Sequence, residues 1–170
     1  MPRIRPYRAS DWDAFVTLDV ETGLHTLRYA TEKERQAFQA RWPEELKARF
    51  GWGPEGPTLD EARLHVLEDD DGDYAGHLWV SFRDDPLTGL PRLWVNTMAI
   101  VPKHRSRGWG RLLVDHAEDE ARHRGACSLG LAVDADNVVA RKLYEEMGFQ
   151  TVRLRMIKPL PGKTERPPKS

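Results

Sequence analysis

The chain holds a single cysteine, Cys127, in 170 residues, so no disulfide can close within it. Its six histidines show no metal-ligand spacing, and no metal is expected. Long apolar runs are missing as well. Nothing approaches the roughly 20 residues that cross a bilayer, and Met1-Pro2-Arg3-Ile4-Arg5-Pro6 lacks the apolar core of a signal peptide. Nor does one sign of charge dominate. Lys and Arg number 26 against 27 Asp and Glu, a formal net charge of −1, whereas a protein that tracks nucleic acid carries a basic surplus. These absences point to a cytoplasmic protein with neither membrane nor nucleic acid as partner.

What is present suits one compact domain over residues 1–158, long enough to bury a core without metal or disulfide. The stretch 159–170 is rich in proline and charge and is expected to be disordered. Arg3 to Arg8 reads as a strand. Ser10, with Asp13 three residues on, offers an N-cap, and Trp12, Phe15, Val16 and Val20 follow at helical spacing. Thr31-Glu32-Lys33-Glu34 is a capping box that opens a second helix bearing Phe38, Trp42, Leu46 and Phe50, which Pro43 should break or kink. The glycine- and proline-rich stretch from Gly51 to Pro57 is a loop.

The period then switches to two. Ala62, Leu64 and Val66 alternate with Arg63, His65 and Leu67, and Asp69-Asp70-Asp71-Gly72-Asp73 marks a hairpin turn into a strand from Tyr74 to Phe82. Another strand covers Leu93 to Val101. Beyond it the spacing predicts a helix from Gly108 to Arg124, with Leu112, Leu113, Ala117 and Ala121 on its apolar face and a Glu118–Arg122 pair on the other. A strand from Ala126 to Val133, a helix from Asp136 to Met147 and a last strand from Phe149 to Lys158 complete the order. A meander joined to a strand-helix-strand unit gives an α+β fold with a mixed sheet and helices on both faces. Cys127, Leu143, Phe149 and the tryptophans Trp42, Trp52, Trp79 and Trp94 read as core residues, with the lining of an acceptor pocket as a second reading for these four tryptophans.

The segment Val101-Pro102-Lys103-His104-Arg105-Ser106-Arg107-Gly108-Trp109-Gly110-Arg111 lies between a strand and a helix. Its alternate glycines permit a sharp turn and close approach, and the helix that follows aims free N–H groups and a positive dipole end at the space above. With Lys103, Arg105, Arg107 and Arg111 this forms an anion site suited to a pyrophosphate. It lacks the Gly-Lys-Ser/Thr of a nucleotide-binding P-loop and the third glycine of the dinucleotide fingerprint.

At these residues the sequence resembles the GNAT superfamily of N-acetyltransferases. Arg105-Ser106-Arg107-Gly108-Trp109-Gly110 matches its Arg/Gln-x-x-Gly-x-Gly/Ala signature, and Asn137 to Phe149 matches Asn-x-x-Ala-x-x-Leu-Tyr-x-x-x-Gly-Phe. The resemblance implies a GNAT-like, mostly antiparallel central sheet and acetyl-CoA as cosubstrate. It implies that backbone N–H groups of Arg105, Ser106, Arg107, Gly108, Trp109, Gly110 and Arg111 hold the pyrophosphate. Met98, Ala99 and Ile100 would bond the pantetheine arm like an added strand, and Asn137 would join them. Tyr144 would protonate the departing thiolate. The acceptor is then an amine, on a small molecule or a peptide.

Two departures from the pattern stand out. Many relatives carry a Glu on the fourth strand to take the amine's proton, and Asn96 with Thr97 occupies that place here. Glu68, His65, His77 and Asp134 are the substitutes to weigh, and a CoA-binding domain without catalysis is the alternative reading. The chain also ends in one short strand where many relatives have two, so a second subunit in a homodimer is one source of the missing acceptor wall.

Overall fold

The computed structural model describes residues 1–27, 30–50, 52–53, 56–57 and 61–158. The expected disorder of 159–170 lies outside the described residues. Strand β1 (Arg3–Pro6) leads through a 3-10 turn at Ala9–Asp11 into α1 (Trp12–Thr26). The entry is secured by Asp11, whose Oδ2 accepts from the Arg8 N–H at 2.7 Å, and not by the expected Ser10 and Asp13. The 3-10 turn places the Asp11 carboxylate over the free backbone donor first.

The second helix, α2 (Glu32–Phe50), opens on the expected reciprocal cap: the Thr31 N–H donates to Glu34 Oε2 at 2.6 Å, and the Glu34 N–H to Thr31 Oγ1 at 3.3 Å. Pro43 does not break it; the helix runs through. Tertiary contacts on both sides outweigh the lost backbone bond. Trp42 Nε1 donates to Asp19 Oδ2 at 2.6 Å, and Leu46 is fully buried in a cluster with Phe15, Leu64 and Trp79.

Two-residue strands β2 (Trp52–Gly53) and β3 (Gly56–Pro57) pair with each other inside the expected loop. The meander β4 (Ala62–Glu68), β5 (Tyr74–Asp84) and β6 (Pro91–Ile100) then builds the main sheet. Gly72, with φ +87°, makes the hairpin turn, where Asp69 Oδ1 accepts from the Asp71 and Asp73 N–H groups at 3.1 and 3.0 Å. Helix α3 (Trp109–His123), strand β7 (Ser128–Leu131) and α4 (Val138–Glu146) follow. The order is β1-β4-β5-β6-β7, antiparallel except where β7 runs parallel to β6. The class and the mixed sheet agree with expectation.

Alternation along the strands fills two cores. Leu64 and Trp79 face α1 and α2 with Phe15, while Leu67, Leu78, Val80, Leu93 and Val95 face Leu113, Ala117 and Ala121 of α3. Leu112, expected among them, is 37% exposed at the rim. Cys127 is exposed too, because β7 is an edge strand that starts one residue later. Leu143 and Phe149 are half-buried, since α4 buries no residue fully.

The last expected strand does not form. Gly148 ends α4 at φ +88°, the Phe149 N–H bonds back to the Tyr144 carbonyl at 2.9 Å, and residues 150–158 carry no regular pairing. The edge offered by β7 is four residues long, so few ladder bonds are available to order a neighbour.

Candidate functional site

Strand β6 forms the floor of the site. Its parallel pairing with β7 runs from Arg92–Ser128 to Val95–Leu131 and stops there, although β6 continues to Ile100. Among the described residues, Asn96 to Ile100 therefore present an open strand edge, which contains Met98, Ala99 and Ile100. An extended molecule with amide groups can complete such an edge as a further strand would. On the β5 side, Trp79 pairs with Thr97 and Val80 with Val95, so Asn96 is an extra, bulged residue. A bulge bends its strand and re-aims side chains. The Asn96 amide lies 2.6 Å from Ser81 Oγ; with its oxygen turned inward it also accepts from Trp79 Nε1 at 3.2 Å. It is held in place and has no basic lone pair to offer.

At the end of β6 the chain turns through Pro102–His104. Ser106 and Gly108 take positive φ values, +61° and +80°, which reverse the backbone so that α3 begins at Trp109. Gly110 is required by packing: a Cβ there would lie 3.0 Å from Leu143 Cδ2 of α4. This contact also seats α4 beside the start of α3. The first-turn N–H groups of α3 point into the space above the loop, where an anion is favoured.

The loop's cations are tethered at its rim. Arg105 Nε donates to the Ile100 carbonyl at 3.0 Å, and its guanidinium lies 3.7 Å from Glu21. Arg111 reaches Glu146 at 3.2 Å, Lys103 lies 3.9 Å from Asp69, and Arg107 leans over the Trp109 ring at 5.7 Å. Trp109 in turn stacks on the buried His104 ring at 4.8 Å. These are partly exposed pairs worth at most about 1 kcal/mol each, readily exchanged for a phosphate.

Asn137 caps α4, its Oδ1 accepting from the Ala140 N–H at 3.2 Å. Tyr144 follows two turns later with its ring 5.6 Å from that of Phe149, and burial pushes its phenol up to about 12. It stays protonated near neutral pH.

The candidate bases separate clearly. Glu68 is clamped by Arg5 and Arg3, whose hydrogen bonds hold its carboxyl down at about 2. His65 points to the α3 side, where it meets Glu120 at 2.6 Å. Asp134 is half-buried in the turn before α4, its carbonyl accepting from the Asn137 N–H at 3.0 Å. His77 remains. Fully buried, it accepts or donates at Nδ1 with the Tyr74 hydroxyl (2.7 Å), and its Nε2 lies 3.3 Å from Thr97 Oγ1 and 3.6 Å from Asp19 Oδ1. Phe15 packs edge-on to its ring at 4.9 Å. Burial, followed by the Asp19 charge, raises the Tyr74 phenol. Tyr74 also lines a cleft of about 410 Å³ with Asp13, Thr17 and Glu21 of α1 and Val101. No spacing along the chain announces this Asp19–His77–Tyr74 group, since its members come from α1 and β5 and meet only through packing.

A parallel strand pair that parts above a glycine loop, with a helix N-terminus beyond it, is an arrangement suited to a phosphate-ended, amide-bearing ligand. Residues 27–149 match the Acetyltransferase (GNAT) family, and the chain belongs to it. The streptothricin acetyltransferase of Streptomyces lavendulae is 40% identical over 97 residues, 57% of this chain and 49% of that protein. The mycothiol acetyltransferase of Beutenbergia cavernae is 34% identical over 131 residues, 76% of this chain and 40% of that one. The chain thus spans half or less of the length of these two relatives. In fold it is similar to a solved structure from Pyrococcus furiosus (TM-score 0.76, 24% identity, covering 94% and 100% of the two chains). A GCN5-related N-acetyltransferase from Ralstonia eutropha is likewise similar (TM-score 0.71, 21% identity, covering 95% and 100%).

Proposed function

We propose that the protein transfers the acetyl group of acetyl-CoA directly to a primary amine in the cytoplasm. The observation that carries this reading is the β6 edge, left open from Asn96 to Ile100 immediately before the loop and helix start that suit a pyrophosphate. Backbone N–H groups of Ser106 to Gly110 hold the phosphates, those of Arg105 and Arg111 already donating to the Pro102 and Gly108 carbonyls. Met98 and Ile100, whose peptide groups face the open side of β6, bond the pantetheine amides, whereas those of Ala99 face β5. The Asn137 Oδ1 is engaged in its cap, so the amide nitrogen is the group it turns to the pantetheine. The amine attacks the thioester carbon, and the strand amide of Ile100 steadies the oxyanion. As the C–S bond breaks, Tyr144 gives its proton to the thiolate.

The amine's own proton needs another acceptor, because Asn96 stands where an acid would serve. His77 takes it through the Thr97 hydroxyl, with Asp19 beside the ring that becomes charged. Asp13 and Glu21 in the cleft along α1 favour a cationic acceptor. A second copy of the chain closes the acceptor wall. Val152, Leu154 and Met156 alternate along the unpaired segment 150–158, which follows α4, and are 79% exposed or more, while among the described residues the sheet ends on an open β7 edge.

Acetyl-CoA is expected to raise the melting temperature, and Gly108→Trp or Gly110→Trp to abolish the gain. No stabilisation at millimolar ligand would overturn the reading. A thiol-release screen then tests chemistry over streptothricin, peptides with N-terminal alanine, polyamines, aminoglycosides and amino acids. The peptide is included because the ribosomal protein bS18-alanine N-acetyltransferase of Salmonella typhimurium is 41% identical over 58 residues. Binding without release on any amine would favour the non-catalytic alternative.

A further inference from the structure

On the face of the sheet opposite α1, away from the cleft, strand β4 and helix α3 bring together side chains for which acetyl transfer has no use. His116 and Glu120 stand four residues apart on α3, which places them on one face of the helix. His65 rises from the middle of β4 to meet them. Its Nε2 lies 2.6 Å from Glu120 Oε2, and its Nδ1 lies 3.2 Å from His116 Nε2, the two rings edge to face at 4.5 Å. One ligand atom from each residue can be chosen so that all three lie within 4.8 Å of one another, and all three residues are half-buried.

We propose that His65, His116 and Glu120 form a binding site for a divalent transition metal of the zinc class. Two imidazoles and one carboxylate are a donor set that zinc takes readily, with a fourth position left to water. The donors of a tetrahedral zinc sphere lie about 3.4 Å apart, given bonds of about 2.1 Å. The His65 Nδ1 and His116 Nε2 nitrogens are already near that separation; Glu120 faces the other nitrogen of His65, so its carboxylate must swing across by a rotamer change to complete the set. Calcium and magnesium, which select all-oxygen shells, are disfavoured.

Without metal the three side chains form a hydrogen-bonded chain, His116 Nε2 with His65 Nδ1 and His65 Nε2 with Glu120. Arg124 Nη1 lies 3.7 Å from Glu120 Oε1, beyond hydrogen-bond distance but near enough to favour the charged carboxylate. The ion would tie β4 to α3, the helix whose first turn receives the phosphates. Along the chain nothing reveals the site, because His65 is separated from its partners by two strands, the turns that join them and half a helix.

The test uses untagged, chelator-treated full-length protein titrated with zinc chloride against a chromophoric zinc indicator. One equivalent should be withdrawn from the indicator, with a rise in melting temperature. Cobalt(II) in its place should give the intense visible bands of a tetrahedral site. Both His116→Ala and Glu120→Gln should lose this binding, while their acetyl-CoA affinity and circular dichroism stay unchanged. A wild-type protein that fails to compete with the indicator would overturn the proposal. So would stoichiometric binding retained in both variants, which would place the metal elsewhere. Failure here leaves acetyl-CoA binding, measured separately, untouched.

Discussion

Tyr144 holds its proton more tightly than a phenol in water, because burial pushes it up to about 12. Such a group stays neutral across the working range, as the proposed proton donor to the departing thiolate must. Tyr144→Phe is expected to slow turnover about a hundredfold or more, with acetyl-CoA affinity unchanged by calorimetry; equal turnover in the variant would remove Tyr144 from the reaction. This residue was legible in the sequence because a helical motif fixes its place. His77 was not singled out from the other candidate bases, since only tertiary packing brings Asp19, Tyr74 and Thr97 to it. Asn96 was recognised as a departure, yet the bulge that displays it depends on how β5 and β6 fall into register. Cys127 misled for a simpler reason: alternation with Leu129 and Leu131 says nothing about where a strand begins.

The turn from β6 into α3 depends on backbone conformation more than on charge. Gly108 sits at φ +80° with open space where a Cβ would go, so Gly108→Ala isolates the conformational effect. A loss of about 1–2 kcal/mol in chemical denaturation is expected, together with weaker acetyl-CoA binding. The glycine pattern made this element readable in advance. Strand β1 is held differently. Glu68 of β4 accepts from Arg5 and Arg3, and Arg5 pairs also with Asp11 at 2.7 Å, which joins β1, β4 and the entry to α1. The bonded carboxyl of Glu68 falls from its ordinary 4.5 to about 2. A carboxylate with a lowered folded-state pKa adds stability that is fully present above 4.5 and fades as pH falls toward 2. Melting temperatures measured down through that window should drop steeply in the wild type. In Arg5→Ala they should start lower and fall less; parallel curves would show that the clamp is not the source. Arg5, Glu68 and Asp11 lie too far apart in sequence for any local pattern to join them.

For the whole molecule, the succession of β4, β5, β6, α3, β7 and α4 along the chain was legible in the hydrophobic period, because alternation assigns each strand residue to a face. The end of the chain did not. Residues 150–158 carry the same alternation as a true strand, and the pattern cannot say whether a neighbour exists. Their exposed Val152, Leu154, Met156 and Ile157 are the chemical signature of a surface awaiting a partner. Light scattering is expected to give twice the chain mass of 19.5 kDa for the wild type. In a Leu154→Asp, Met156→Asp double variant it should give a single mass, with acetyl-CoA binding retained. A monomeric wild type would refute the dimer.

The unpaired stretch of β6 has a consequence beyond catalysis. Among the described residues, β6 has no neighbour on one side beyond Val95, where Met98 and Ile100 turn their peptide groups outward, and proteins usually hide such edges because they recruit other chains. Under the proposed function the edge stays bare so that acetyl-CoA can complete the ladder, which would make the ligand a guard against aggregation as well as a reactant. Protein stripped of CoA should turn turbid on storage sooner than protein kept with it, and the amide hydrogens of Met98 and Ile100 should exchange faster in the stripped form.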